Sequence, residues 1–205
     1  MTQLKKYSTK RKIIRMSLNK YNIFNIRQSF KRFRRRGKRA SLYKNQFSSK
    51  QQLKLFYGGI REKMFKKYFN EGSLYKGLAI DNFFILLEKR LDVVIYRLGW
   101  SKSIFMCRQL ICHGHIMVNN KKVNISSYRL KKGDIIEPTS EGIEIIKSMM
   151  INLWKFSKRF ILIPNYLEVN NKILVGVFIR SPIIKEIYYP KNINIKLINQ
   201  FYKKN

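Results

Sequence analysis

The chain has 205 residues and carries 44 Lys+Arg against 11 Asp+Glu, a formal net charge of +33 at pH 7. A surface this positive repels itself and calls for a polyanion whose condensed counterions are released on binding. No stretch approaches the roughly 20 uninterrupted apolar residues of a membrane-spanning helix, while 45% hydrophobic and 14% aromatic residues suffice for a packed core. The reading is therefore one or two folded domains, neither a membrane protein nor a disordered basic tail.

The first 50 residues contain no Asp or Glu and include the run Lys31-Arg32-Phe33-Arg34-Arg35-Arg36-Gly37-Lys38-Arg39. A block with no compensating acid is neutralised more naturally by phosphate than by water, so residues 1–48 are expected to form a basic arm. An imported organellar leader has the same composition. From Lys50 the apolar spacing is helical: Leu53, Phe56 and Tyr57 lead to a break at Gly58-Gly59, and Ile60, Met64, Phe65 and Tyr68 follow at three to four residues. Phe84, Leu87, Leu91, Val94, Ile95 and Leu98 then make one apolar stripe, read as a single helix opened by Asp81 near its cap and closed by Gly99.

Ser101 or Ser103 can cap the next helix, with Ile104, Cys107, Leu110 and Ile111 inward, Arg108 and Gln109 outward, and an end near Gly114. The period then changes to two. Ile116 and Val118 alternate with Met117 and Asn119, Asn120-Lys121 reads as a turn, and Val123 and Ile125 resume the alternation, which predicts a hairpin. Lys132-Gly133-Asp134 is a second turn, followed by a short strand at Ile135-Ile136. Trp154 to Ile163, Leu167 to Val169 and Ile173 to Ile179 read as β, punctuated by Pro164, Pro182 and Pro190. Residues 193–201 fit either a helix or a strand.

The two cysteines, Cys107 and Cys112, sit roughly 140° apart on a helix, which argues against a disulfide. Cys112, His113 and His115 lack the spacing of a structural zinc site, so no metal is expected. A helix amino terminus at Ser101-Lys102-Ser103 offers backbone N–H groups to a phosphate, with Arg108 two turns away. Lys121, Lys122, Lys131 and Lys132 add cations at the two turns. Such a surface reads backbone shape, as folded RNA requires.

Arg90-Leu91-Asp92, Arg97-Leu98-Gly99, Cys107-Arg108-Gln109-Leu110-Ile111, Gly114-x-Ile116-x-Val118-Asn119 and Gly133-Asp134-Ile135-Ile136 together resemble the S4 RNA-binding domain, named after the fourth protein of the small ribosomal subunit. Upstream, Lys50-Gln51, Phe56-Tyr57-Gly58, Met64 to Phe69 and Asn82 to Leu98 resemble the helical part of that ribosomal family. Downstream, Ile163-Pro164-x-x-Leu167-x-Val169 and Ile193 to Tyr202 look like its return strands and last helix. The resemblance spans roughly residues 49–205. Residues 1–48 match it poorly, the family's Arg in the loop after Gly99 falls at Ile104, and Asn120 stands where a turn Gly is common, at a positive φ that Asn tolerates.

The resemblance implies an α+β fold: a helical domain at 49–89 completed by 188–205, an inserted small domain of two helices and a twisted antiparallel sheet at 90–150, a strand-rich return segment at 151–187, and the basic arm. It implies a non-enzymatic, primary rRNA binder that nucleates small-subunit assembly near the mRNA entrance, with no cofactor. Its partners are small-subunit rRNA and neighbouring small-subunit proteins, with mRNA nearby; no membrane and no small-molecule substrate are expected. The residues expected to face rRNA are Arg32, Arg34, Arg35, Arg36, Lys38, Arg39, Arg90, Arg97, Ser101, Lys102, Ser103, Arg108, Gln109, His113, Asn119, Lys121, Lys122, Tyr128, Lys131 and Lys132. Leu91, Val94, Leu110 and Val118 are assigned to the core, and Asp92 to capping or internal pairing.

Two readings compete. Pseudouridine synthases carry the same small domain, but Glu141, Glu144, Glu168 and Glu186 show no paired arrangement for acid–base work. A stand-alone RNA chaperone lacks the upstream helices. Usage weighted to Ile, Lys, Asn, Tyr and Phe suggests an AT-rich genome and, with the divergent amino terminus, an organellar one, so a mitochondrial ribosome is expected, with a plastid-type organelle second and a bacterium of AT-rich genome as a further alternative. Reversing Arg108, Lys121 and Lys122 to Glu is expected to abolish rRNA binding with the fold intact.

Overall fold

The computed structural model describes residues 41–157, 163–187, 189 and 194–204. These fall into two compact units, one drawn from residues 41–61 with the carboxy-terminal segment from 189, the other from residues 62–187. Arg32, Arg34, Arg35, Arg36, Lys38 and Arg39 lie outside the described residues.

In the first unit α1 (Leu42–Phe56) packs on α7 (Ile195–Lys204), which settles the carboxy-terminal ambiguity as a helix. Ser41 caps α1 by accepting from the Lys44 amide. Leu53 and Ile198 are buried, and the Lys50 ammonium sits 4.1 Å from the Phe201 ring centroid, a cation–π contact within its attractive range. Gly58 and Gly59, at φ of 72° and 68°, end α1 by turning their amides back to Leu55 and Lys54 carbonyls, a reversal that only residues tolerant of positive φ make cheaply.

The second unit begins with α2 (Glu62–Leu74) against α3 (Ala79–Glu88). Their close approach depends on Gly72, where a Cβ would stand 2.8 Å from the Phe83 backbone nitrogen. Phe65, Phe69, Phe83 and Phe84 join in edge-to-face contacts behind it. Asp81 is not the cap. Leu78 occupies that position, and Asp81 lies in the first turn, where a negative charge still faces the positive end of the helix dipole.

The single helix expected from Phe84 to Leu98 is two, α3 and α4 (Leu91–Arg97). At Arg90 the backbone abandons the helical ladder. The Leu91 and Asp92 amides bond to the Tyr128 and Ser126 carbonyls, and Leu130 N–H to the Lys89 carbonyl, so residues 126–130 supply the partners that the i−4 ladder no longer does. Apolar spacing cannot register this break, because both helices bury the same side.

Ser103 caps α5 (Ile104–Cys112), and β1 (Ile116–Val118) pairs with β2 (Lys121–Lys122). The turn is Asn119-Asn120, one residue earlier than expected, with φ of 50° and 62°, the left-handed pair that a two-residue hairpin requires. β3 (Ile135–Pro138) follows as expected, and β4 (Leu167–Asn170) and β5 (Val175–Phe178) complete one antiparallel sheet in the order β2-β1-β3-β5-β4. The return segment is thus part of the same sheet as the small domain. A Cβ at Gly176 would meet Leu98 Cδ1 at 2.6 Å, so glycine there is what lets α4 seat on β5.

The β reading of Trp154 to Ile163 is corrected at residues 154–157, while residues 158–162 lie outside those described. Trp154 belongs to a helix, α6 (Ser140–Ser157), whose first turn is capped by Thr139: its Oγ1 accepts from the Gly142 amide at 3.3 Å and its carbonyl from Ile143. Thr139 followed by Ile143, Ile146 and Met150 at helical spacing was the available signal. The core joins Leu91, Val94, Ile95, Leu98, Cys107, Leu110, Ile111, Ile116, Val118, Ile136, Ile146, Tyr166 and Phe178.

Candidate nucleic-acid interface

Within residues 89–136 the only carboxylates are Asp92 and Asp134. Both are buried and both are spent internally. Asp92, with no exposed surface, accepts from Arg90 Nε and Nη2 at 3.0 and 2.8 Å and from Arg108 Nε at 2.7 Å. Arg90 Nη1 donates to the Tyr68 hydroxyl at 2.8 Å. Asp134 accepts from Asn119 Nδ2 at 3.0 Å and from the Lys131 amide at 2.7 Å. With both acids turned inward, every carboxylate of this segment is withdrawn from the surface, while Lys102, Lys121, Lys122, Lys131 and Lys132 face solvent.

Arg90 and Arg97 are therefore not placed as RNA contacts. Arg97 donates to buried Glu88 at 3.1 and 2.8 Å, and Tyr166 donates to the same carboxylate at 2.8 Å, closing a network that ties α3, α4 and the approach to β4. Asn119 is exposed at its backbone turn, but its side chain is occupied: besides Asp134, it accepts from the Ile135 amide at 2.9 Å. Ser101 is buried and donates to the Ser103 carbonyl at 3.4 Å, and Ser103 Oγ accepts from the Met106 amide at 3.3 Å. One amide expected for phosphate is thus already capped. A long, positively charged side chain is costly to bury unpaired, which is why the arginines nearest the core found the rare acids.

The remaining predicted residues are at the surface. Lys102, Gln109, His113, Lys121, Lys122, Lys131, Lys132 and Tyr128 are all exposed, and Arg108 keeps 23% of its side chain accessible. Asn119 ties the hairpin turn to the Gly133-Asp134 turn, so the two lysine pairs flank the same end of the sheet. The Lys122 side chain lies against Gly114, directly after α5: a Cβ there would meet Lys122 Cε at 2.8 Å. A track of cations accordingly runs from Lys102 along the outer face of α5, about 13 Å by its nine residues, and on through Lys122 and Lys121 to the second turn.

Three participants escaped sequence reasoning. Arg129 forms a two-pronged pair with Glu71, with Nη2 to Oε2 at 2.7 Å, and its guanidinium lies 5.2 Å from the Tyr68 ring centroid. Phe105 is exposed on α5. Glu88 directly follows two buried leucines, and a carboxylate at the end of an apolar stripe in so acid-poor a chain was the signal for a buried pair.

The Arg129 hydrogen bonds hold the Glu71 carboxyl below its ordinary 4.5, against a smaller opposing effect of burial. A depressed carboxylate contributes stability that is present above its unfolded value and lost as pH falls through the folded one. Urea midpoints are expected to drop between about pH 6 and about pH 3, and the Glu71→Gln protein to start lower at neutral pH and to drop less. Burial pushes the Cys107 thiol far up, removing it as a nucleophile, and places it on the opposite side of α5 from exposed Cys112.

The family described as S4 domain matches residues 89–136, and the ribosomal protein S4/S9 N-terminal domain matches residues 2–88. The chain is 38% identical to the small ribosomal subunit protein uS4 of Gluconobacter oxydans over 170 residues, 83% of this chain and 81% of that protein. It is 35% identical to uS4 of Acidiphilium cryptum over 82% of this chain and 81% of that protein, and 37% identical to uS4 of Paracoccus denitrificans over 84% and 81%. Two expectations are corrected by these matches. The amino-terminal family domain reaches back to residue 2, so the first 48 residues are not foreign to it. These relatives are bacterial proteins, which overturns the placement in a mitochondrial or plastid-type ribosome inferred from residue usage.

Proposed function

The chain belongs to the ribosomal protein S4 family, and from that premise we propose that it grips small-subunit rRNA with the cation track along α5 and the two sheet turns. It is a structural, non-enzymatic constituent of the small ribosomal subunit, with rRNA and other ribosomal proteins as partners. The observation that carries the proposed surface is the withdrawal of both carboxylates of residues 89–136 into the fold, leaving Lys102, Lys121, Lys122, Lys131 and Lys132 exposed together. Each lysine set on a phosphate displaces condensed counterions, so affinity comes from many modest, salt-sensitive contacts.

Arg108, Gln109, His113 and Tyr128 complete the surface. Residues 1–48, with Arg32, Arg34, Arg35, Arg36, Lys38 and Arg39, serve as a second rRNA-binding region. We assign residues 49–89 with 188–205, 90–150 and 151–187 as the functional divisions beyond that arm, with α6 and the sheet running across the 150/151 boundary. The protein enters assembly early, lies beside the mRNA entrance, and works in a bacterial-type ribosome, as its relatives' sources support. Neither rival reading is favoured: the acids beyond β3 form no catalytic pair, and the upstream family domain is foreign to a stand-alone chaperone.

The test is sedimentation of ribosomes on sucrose gradients at rising salt, with mass spectrometry of the fractions. Retention on the small subunit at salt that strips loosely bound proteins is the expected result. Release into the light fractions would point to a transient RNA-binding factor.

A further inference from the structure

Phe105 is 47% exposed in the first turn of α5. Its neighbours on that face of α5 are Arg108, Gln109 and Cys112, at the three-, four- and seven-residue intervals that share a helix side, and Lys102 precedes the Ser103 cap. The Arg108 guanidinium lies 6.0 Å from the Phe105 ring centroid, and Arg108 is anchored through Nε to the buried Asp92 carboxylate. The ring thus stands beside a cation whose direction the core fixes. Left in water, the phenyl ring forgoes the free energy that burying its apolar area would release.

We propose that Phe105 is a stacking platform for an unpaired nucleobase of the small-subunit rRNA, with Arg108 directed to the adjoining phosphate. The inference rests on the rRNA-binding reading above and adds a base contact to a surface that otherwise reads phosphates. Charge selects the occupant. An apolar patch of a neighbouring protein set on Phe105 would desolvate Lys102 and Arg108 without compensation. A nucleotide supplies a flat face for the ring and an anion for the cations, and folded RNA presents unstacked bases in its loops and bulges. Stacking on an aromatic side chain tolerates any base, so the contact adds affinity and register without demanding one sequence.

The experiment measures binding of the full-length protein to an in vitro transcribed bacterial small-subunit rRNA at several salt concentrations, for Phe105→Ala, Phe105→Leu, Phe105→Trp and Arg108→Gln. Stacking is worth enough that Phe105→Ala and Phe105→Leu should each weaken binding about tenfold, with the slope of log K against log salt unchanged. Phe105→Trp should bind at least as tightly as the wild type. Arg108→Gln should flatten the slope by roughly 0.7 to 0.9, one phosphate contact. If Phe105→Leu binds as the wild type does, or Phe105→Ala costs nothing while Arg108→Gln still flattens the slope, the stacking assignment is overturned and the phosphate surface stands. If Arg108→Gln and Phe105→Ala are both silent, the outer face of α5 is not the rRNA surface and the reading beneath the inference fails with it. Because Phe105 is a surface residue, thermal unfolding of all three Phe105 variants should match the wild type.

Discussion

Replacing Lys121, Lys122, Lys131 and Lys132 with glutamate lowers the affinity for small-subunit rRNA on the order of a thousandfold at about 0.1 M salt and flattens the slope of log K against log salt by about three, four contacts' worth. All four lysines are exposed at one end of the sheet, where Asn119 links the hairpin turn to the turn at Gly133-Asp134. Their side chains lie outside the core, so the variant folds, and circular dichroism and thermal unfolding should follow the wild type closely. Binding measured at a series of salt concentrations checks the result. An unaltered slope would move the rRNA surface away from this end of the sheet.

The set differs from the reversal of Arg108, Lys121 and Lys122 that the sequence suggests, and the difference is physical. Arg108 Nε lies 2.7 Å from an Asp92 oxygen that has no access to water. A glutamate at position 108 would bring a second carboxylate against a buried one, so that variant would confound lost binding with lost structure. Lysine changes at the turns avoid this.

The second large effect is expected at the centre of the fold. Arg97→Met should destabilise the protein by about 3–5 kcal/mol, because it strips both guanidinium hydrogen bonds from the buried Glu88 carboxylate. That is a large share of the roughly 5–15 kcal/mol by which domains of this size are stable. Changing both partners, Glu88→Leu with Arg97→Met, removes the stranded charge and should recover most of the loss. Urea unfolding of the two variants decides it. If the single change costs no more than the double, the carboxylate is not relying on Arg97.

Several features of this protein follow from sequence pattern alone. The composition fixed the class of partner, because a chain with so few acids has little internal means of neutralising its lysines. The hydrophobic periods placed α1, α2, the end of α5, β1 and β3, and the order of short anchors between Arg90 and Ile136 led to the family. These signals are local, carried by residues close in the chain, and they survive without knowledge of the fold. Residue usage misled on the compartment, since a compositional bias reports the coding sequence rather than the ribosome in which the protein sits.

What the tertiary structure decided was the fate of each charge. Arg90, Arg97 and Arg108 look alike in the sequence, as outward cations beside helices. Only the packing of α3 and α4 against the strands shows that Glu88 takes Arg97, that Asp92 holds both Arg90 and Arg108, and that Arg129 goes to Glu71. The break between α3 and α4 has the same origin, because the partners of the Leu91 and Asp92 amides arrive from Tyr128 and Ser126, more than 30 residues away. A carboxylate or an amide chooses its partner by distance in space, and that distance exists only once the chain has folded.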